Sequence, residues 1–138
     1  MYFRERNYEY FCTVCDSYVL GDSKHCMQCN RCTYEFDHHC YWINNDIGLH
    51  NYAAFLRMLS ALIITLLIQI GFSIYAICGA IPDDIEHVSF LDRTDYMVIN
   101  YVTLGVAIVI LALDTYLLLF HISLIRRDTT TYKHIRMK

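Results

Sequence analysis

The sequence runs to 138 residues with 11 Lys/Arg against 14 Asp/Glu, a formal net charge of −3, and 56% hydrophobic residues. One small domain is the expectation for that length. Yet residues 58–78 and 97–113 contain no Asp, Glu, Lys or Arg, more unbroken apolar sequence than a soluble core of this size needs. Residues 1–52 hold four Lys/Arg and seven Asp/Glu, so the basic stripe of a nucleic-acid reader is missing and that class is excluded.

In chain order, residues 1–11 read as a polar, aromatic lead-in. Met1-Tyr-Phe-Arg-Glu-Arg is charged and has no apolar core, so no cleavable signal peptide is expected and targeting is left to internal segments. Residues 12–52 form a cysteine/histidine segment with short spacings and no long apolar period. Knuckle turns and little regular structure are expected there. Asn51 is placed to cap a helix, on which Tyr52, Phe55 and Leu59 share one face.

The first membrane span is expected over 53–78. Its uncharged stretch from Met58 to Cys78 is 21 residues, roughly 31 Å of helix and enough to cross a bilayer core. Arg57 at its entrance can extend its charged head toward the interface. Residues 79–96 read as a connecting loop, with Gly79 and Pro82 as breakers. A second span follows over 97–125, interrupted by Asp114. That carboxyl is expected at mid-membrane, protonated and facing Tyr116, Thr65 or Gln69 across the hairpin, with a polar contact to a missing or partner helix as the alternative. His121, near the end of this span, is expected at the interface. Cys78, at the far membrane edge, reads as a small apolar residue. Residues 126–138 are a tail. No internal repeat or low-complexity tract stands out.

Charge sets an orientation. The loop 79–96 has five acids and one base, and the tail 126–138 has five bases and one acid. Positive residues near span ends stay in the cytoplasm, so the tail and the cysteine-rich domain are expected to be cytosolic and the loop lumenal or external. The cytosol is reducing, which leaves thiols free for metal. The fold class that follows is membrane α-helical, a two-helix transmembrane hairpin preceded by a small zinc-stabilised cysteine-rich domain.

The ligand pattern reads Cys12-x2-Cys15, then His25-Cys26-x2-Cys29-x2-Cys32, then His39-Cys40. A Cys-x2-Cys turn brings two sulfurs to one ion, and structural zinc takes four tetrahedral S/N ligands. Cys12, Cys15, Cys26, Cys29 and Cys32 with two histidines make seven ligands, one short of two closed sites. Cys40 either completes the second site or is left over. In Asp37-His38-His39-Cys40, a thiol stands beside a base and an acid able to orient that base. It lies about thirteen residues before the first span. The same four residues also suit a purely ligating or scaffolding role.

Asp37-His38-His39-Cys40 within this frame resembles the signature of the DHHC protein S-acyltransferases. The similarity continues through Trp42, Asn44-Asn45, Gly48, Asn51-Tyr52 and Phe55, and resumes at Thr130-Thr131, similar to the family's Thr-Thr-x-Glu motif. The resemblance implies a ping-pong reaction in which Cys40 takes a fatty acyl group from long-chain acyl-CoA as a thioester and passes it to a membrane-proximal cysteine of a protein substrate. It implies His38 as general base, Asp37 as the group orienting it, and His39 as a metal ligand. It places Cys12, Cys15, His25 and Cys32 on one structural zinc, and Cys26, Cys29 and His39 on a second.

Departures from the family pattern are specific. Asp46 stands where the eighth ligand is a cysteine, and is expected to ligate, with His50 or water as alternatives. Tyr41 replaces the Pro after the signature cysteine, and Lys133 replaces the Glu of Thr-Thr-x-Glu. The family has two spans before its cysteine-rich domain and none is seen here, so a shortened chain or an oligomer is expected. The expected setting is endomembrane (ER or Golgi) or plasma membrane. The bases Arg126, Arg127, Lys133 and Arg136 read as headgroup and topology anchors, with CoA phosphates as an alternative partner. Two other readings use the same residues. One is a catalytically weak zinc-structured membrane adaptor or truncated regulator. The other is a membrane-anchored zinc-finger ligase-like module, against which a Cys40–His38 pair so near the membrane argues.

Overall fold

The computed structural model describes residues 8–79 and 93–137. Most of the expected lead-in and of the loop 79–96 lies outside the described residues. The chain divides into two units, one made of Met1–Leu56 with Phe120–Lys138, the other of Arg57–Leu119.

The first unit is built from three antiparallel hairpins: β1 (Tyr8–Cys12) with β2 (Ser17–Leu20), β3 (Ser23–Cys26) with β4 (Arg31–Tyr34), and β5 (His38–Cys40) with β6 (Asn45–Ile47). This corrects two expectations, that the segment has little regular structure and that it lacks a repeat. Each hairpin turns on the same five-position frame, Cys12-Thr-Val-Cys15-Asp16, Cys26-Met-Gln-Cys29-Asn30 and Cys40-Tyr-Trp-Ile43-Asn44. The pairs closing the turns are Cys12↔Ser17, Cys26↔Arg31 and Cys40↔Asn45. The last residue of each turn is left-handed, with φ of 50° at Asp16, 48° at Asn30 and 46° at Asn44. Asp and Asn tolerate that region better than most side chains, which explains their use at this point. The period is fourteen residues (12, 26, 40), too short and too degenerate to stand out when only cysteines are counted.

The hairpins pack closely at Gly48. A Cβ there would lie 2.6 Å from Thr33 Cγ2 and 2.7 Å from the Tyr34 carbonyl, so only glycine fits. Asn51 occupies the N-cap position of α1 (Tyr52–Ile77), its carbonyl accepting from the Phe55 amide at 2.9 Å. Its side chain accepts from the Gly48 amide at 2.9 Å and donates to the Asp46 carbonyl at 2.8 Å, which ties the helix start to β6. The unit is completed by the end of α2 (Arg93–Arg126) and by α3 (Thr131–Arg136), whose first turn is capped by the Thr130 hydroxyl accepting from Lys133 N.

The second unit consists of α1 beyond its first five residues and most of α2. Both helices are long and apolar enough to cross a membrane, with mean hydropathy 2.1 and 2.3, and fewer than a fifth of the residues in either apolar window are buried. A soluble core helix would be covered on most sides, so this exposure suits lipid contact. Asp114 is buried and its Oδ2 has no hydrogen-bond partner among the described residues. None of the expected partners meets it. Thr65 bonds the Ala61 carbonyl, Gln69 bonds Ser73, and Tyr116 is exposed.

Candidate active site

Successive residues of a strand point to opposite faces, and the hairpins use this to serve two clusters from one strand. In β3, His25 faces one way and Cys26 the other. His25 joins the Cys12/Cys15 turn of the preceding hairpin and Cys32 across the ladder, while Cys26 joins Cys29, His39 and Asp46. In the first cluster His25 Nδ1 lies 3.7 Å from Cys12 Sγ, 3.2 Å from Cys15 Sγ and 3.8 Å from Cys32 Sγ, with Cys15 and Cys32 sulfurs 3.6 Å apart. Donors around one tetrahedral zinc are separated by ~3.5–3.8 Å, given Zn–S ~2.3 Å and Zn–N ~2.0 Å.

In the second cluster His39 Nδ1 is 3.9 Å from Cys26 Sγ, 3.4 Å from Cys29 Sγ and 2.9 Å from Asp46 Oδ1. The other carboxylate oxygen of Asp46 accepts from the Thr33 hydroxyl at 3.1 Å and lies 3.8 Å from Arg31 Nε. Asp46 thus turns a single oxygen to the cluster, and exposed His50 takes no part in it.

Charge explains why such clusters suit a cation. Burial, reinforced by the sulfurs of Cys12 and Cys15, pushes the Cys32 thiol up to about 12. The Cys15 amide, directed at Cys12 Sγ from 3.5 Å, holds that thiol below its ordinary value against the effect of burial. Burial, Asp46 and Cys26 raise Cys29. Burial also works to raise Asp46, but hydrogen bonds from Cys26, His39, Cys29 and Thr33 outweigh it and hold its carboxyl below the usual range. Thiols crowded in this way ionise together only with a divalent ion among them. Both donor sets fit zinc: three sulfurs and a nitrogen in the first, two sulfurs, a nitrogen and an oxygen in the second.

β5 continues the alternation. His39 faces the second cluster, so His38 and Cys40 share the opposite face. At its turn Cys40 stands where Cys12 and Cys26 stand in theirs, but Ile43 replaces the second cysteine and, among the described residues, no fourth hairpin supplies a histidine. Cys40 is buried and free, and it belongs to no metal-ligand group among the described residues. Next to it Tyr41, Trp42 and Ile43 project outward, Trp42 at 94% exposure.

Asp37, just before β5 and 2% exposed, is held from three directions. His38 Nδ1 lies 2.7 Å from its Oδ2, the Thr131 hydroxyl donates to the same oxygen at 2.8 Å, and the Thr131 amide donates to Oδ1 at 2.7 Å. The Asp37 carbonyl accepts from Tyr132 N at 3.1 Å. Burial works to raise the Asp37 carboxyl, but the hydrogen bonds from His38 and Thr131, with the charge of His121, hold it below the usual range. A carboxylate can only accept, so the neutral form of His38 carries its proton on Nδ1 and keeps a lone pair on Nε2.

Of the two threonines singled out from sequence, Thr131 grips Asp37 and Thr130 caps α3. Contacts of the tail reinforce the grip. Lys133 pairs with Asp22 at 3.3 Å, and Lys24 lies over the Tyr132 ring, 3.8 Å from its centre. Of the four bases named as anchors, Lys133 and Arg136 are thus engaged within the unit, since Arg136 donates to the Tyr132 hydroxyl at 3.0 Å. A cleft of about 310 Å³ beside Asp37 has a mixed lining, with Asp22, Glu35, Asp128 and Lys133 beside Leu49 and Ile125.

His121, near the end of the second span, is 2% exposed and stands in this site, with Nδ1 3.0 Å from the Tyr52 hydroxyl and 4.0 Å from Asp37 Oδ2. An ionisable residue in the apolar run Tyr116–Ile125 of α2 is the signal in the sequence. Its polar partners Tyr52 and Asp37 lie far back in the chain, Tyr52 by 69 positions, so only folding reveals them.

A cysteine/histidine domain with metal-binding clusters, continued into two membrane-capable helices, defines a class of integral membrane protein whose signature cysteine stands outside both clusters. The chain belongs to the DHHC palmitoyltransferase family, whose model matches residues 5–138. It is 32% identical over 133 residues to probable protein S-acyltransferase 20 of Arabidopsis thaliana, covering 91% of this chain and 19% of that protein. It is 33% identical over 128 residues to palmitoyltransferase ZDHHC5-B of Danio rerio, covering 93% and 18%. A 51% identity to palmitoyltransferase ZDHHC4 of Bos taurus spans 51 residues, 37% of this chain and 15% of the relative. The chain therefore spans about a fifth or less of the length of these curated relatives.

Proposed function

We propose that this chain carries the catalytic centre of a protein S-acyltransferase that uses long-chain acyl-CoA, with Cys40 as nucleophile, His38 as general base and Asp37 as the group orienting it. The observation that carries this reading is the 2.7 Å contact of Asp37 with His38 Nδ1, on the strand where His38 and Cys40 share a face.

His38 Nε2 takes the Cys40 proton as the sulfur attacks the thioester carbonyl of acyl-CoA. The carbon–sulfur bond to CoA breaks, and the proton passes to the departing CoA thiolate. In the second half the thiol of a protein substrate gives its proton to His38 and attacks the Cys40 thioester. Cys40 then leaves as thiolate and takes that proton back. Asp37 stabilises the imidazolium in both halves. Bound zinc, one ion in each cluster, supplies folding energy and fixes the hairpins. The exposed Tyr41-Trp42-Ile43 turn offers an apolar surface beside the thioester, where an acyl chain can lie. The acidic loop and basic tail support a cytosolic site on an endomembrane or plasma-membrane protein, acting on membrane-proximal cysteines.

Incubation with a clickable long-chain acyl-CoA tests the proposal. A hydroxylamine-sensitive label is expected on the wild-type protein, lost in Cys40→Ser and kept in Cys78→Ser. Label surviving Cys40→Ser refutes the nucleophile assignment. An absence of label on zinc-loaded protein favours the adaptor reading instead.

A further inference from the structure

The imidazole of His38 is fixed at one edge by Asp37, but a single hydrogen bond leaves a ring free to rock about it. Two aromatic groups remove that freedom. Phe55 meets His38 edge to face with centres 5.2 Å apart, and His121 lies tilted beside it at 5.5 Å. Phe55 and His121 also pack on each other, at 5.0 Å and 75°. His121 does not float in this arrangement. It is fully enclosed, its Nδ1 is bonded to the Tyr52 hydroxyl at 3.0 Å, and its ring packs against Tyr52 and Phe120.

Burying an imidazole and a phenol in one apolar site is costly unless they satisfy each other. Phenylalanine at both positions would pack as well for stability alone. The polar pair sets something a phenylalanine pair cannot: the rotation of the His121 ring, and with it the wall that His38 rests on. His121 Nδ1 also approaches Asp37 Oδ2 to 4.0 Å, on the oxygen that already receives His38 and the Thr131 hydroxyl. Asp37, His38 and His121 are close enough to hold an ion, but the Asp37 oxygens are already taken by three hydrogen bonds.

We propose that His121, locked by the Tyr52 hydroxyl, is a positioning residue for His38. It holds the imidazole so that Nδ1 stays on Asp37 and Nε2 stays on the Cys40 side. The proposal rests on the reading of His38 as the base. Neither residue touches the reacting atoms; each acts through His38.

The test uses the full zinc-loaded protein in lipid–detergent micelles. His121→Leu is expected to slow single-turnover acylation of Cys40 roughly 10- to 100-fold, the scale of a misplaced catalytic group, with the KM for acyl-CoA little changed. Tyr52→Phe should lose less and add nothing to His121→Leu. His121→Asn, which keeps a polar partner for Tyr52, should recover part of the rate. In a His38→Ala background, His121→Leu should cause no further loss, whereas a general structural role would subtract again. Nitrogen-15 spectra of histidine-labelled protein give a readout independent of turnover. Wild type should show His38 in one tautomer, protonated at Nδ1, and His121→Leu should broaden or mix that signal. Additive losses, or an unchanged His38 signal in His121→Leu, overturn the proposal. If wild-type Cys40 takes no acyl group, the reading of His38 as base fails, and the His38 signal still decides whether His121 holds the ring.

Discussion

Cys32 and Asp46 occupy the same position in successive hairpins. Cys32 stands across the ladder from His25, and fourteen residues later Asp46 stands across from His39. Each completes a cluster made of that histidine and the Cys-x2-Cys turn of the hairpin before. The two clusters are one design executed twice, with a thiolate in the first and a carboxylate in the second.

Zinc holds thiolate better than carboxylate in a structural site. A chelator titration is therefore expected to empty the Asp46 cluster first. Asp46→Cys should delay that loss, bringing the two clusters level. Metal content followed through the titration checks this. Earlier emptying of the Cys32 cluster, or unchanged retention in Asp46→Cys, would count against Asp46 as the weaker fourth ligand.

Thr33 steadies that carboxylate from behind, through the 3.1 Å bond to Asp46 Oδ2. Partners of this kind change metal affinity by roughly 10- to 100-fold when removed. Thr33→Val, nearly the same in shape, should weaken zinc retention at the Asp46 cluster by about tenfold and leave the Cys32 cluster unchanged. Competition with a zinc-responsive dye measures both.

On the proposed reading His38 and His39 have separate tasks, since alternation along β5 sends them to opposite faces. His39→Ala should lose zinc and destabilise the hairpins. His38→Ala should keep its zinc and slow acylation by about 10²- to 10⁴-fold, the usual worth of a general base. Equal zinc loss in the two variants would contradict the division.

Thr131→Val removes one of the hydrogen bonds to the buried Asp37 carboxylate and leaves the backbone bond in place. Bonds to charged groups contribute about 1.5–3 kcal/mol, and the lower part of that range is expected here since Thr131 N still donates. Acylation should fall together with stability. Thr130→Val, which touches only the α3 cap, should cost about 1 kcal/mol and spare the acylation rate more than Thr131→Val does.

Ile43 marks what separates the third hairpin from the other two. Ile43→Cys gives Cys40 the knuckle partner that Cys12 and Cys26 have. Acylation by this variant should become sensitive to added zinc and recover on chelation, while Ile43→Ser stays insensitive. Identical zinc responses in the two variants would mean that the third turn lacks the ligating geometry of the first two.

Two features were determined by the sequence on its own, because each depends on residues close together in the chain. The apolar runs are contiguous, so two membrane-capable helices could be read directly. The Cys-x2-Cys pairs are local turns, so metal binding and the Asp37-His38-His39-Cys40 signature could be read as well. The hairpins are not legible in the sequence because three- to five-residue strands carry little periodicity, and their shared frame includes one turn where isoleucine replaces cysteine. Placement across the chain was decided only by the tertiary structure. Thr131 reaches Asp37 over 94 positions, and His121 reaches Tyr52 over 69. A buried carboxylate and a buried imidazole need partners, but nothing in local sequence says which distant helix end provides them. Burial and hydrogen bonding in the folded unit made that choice.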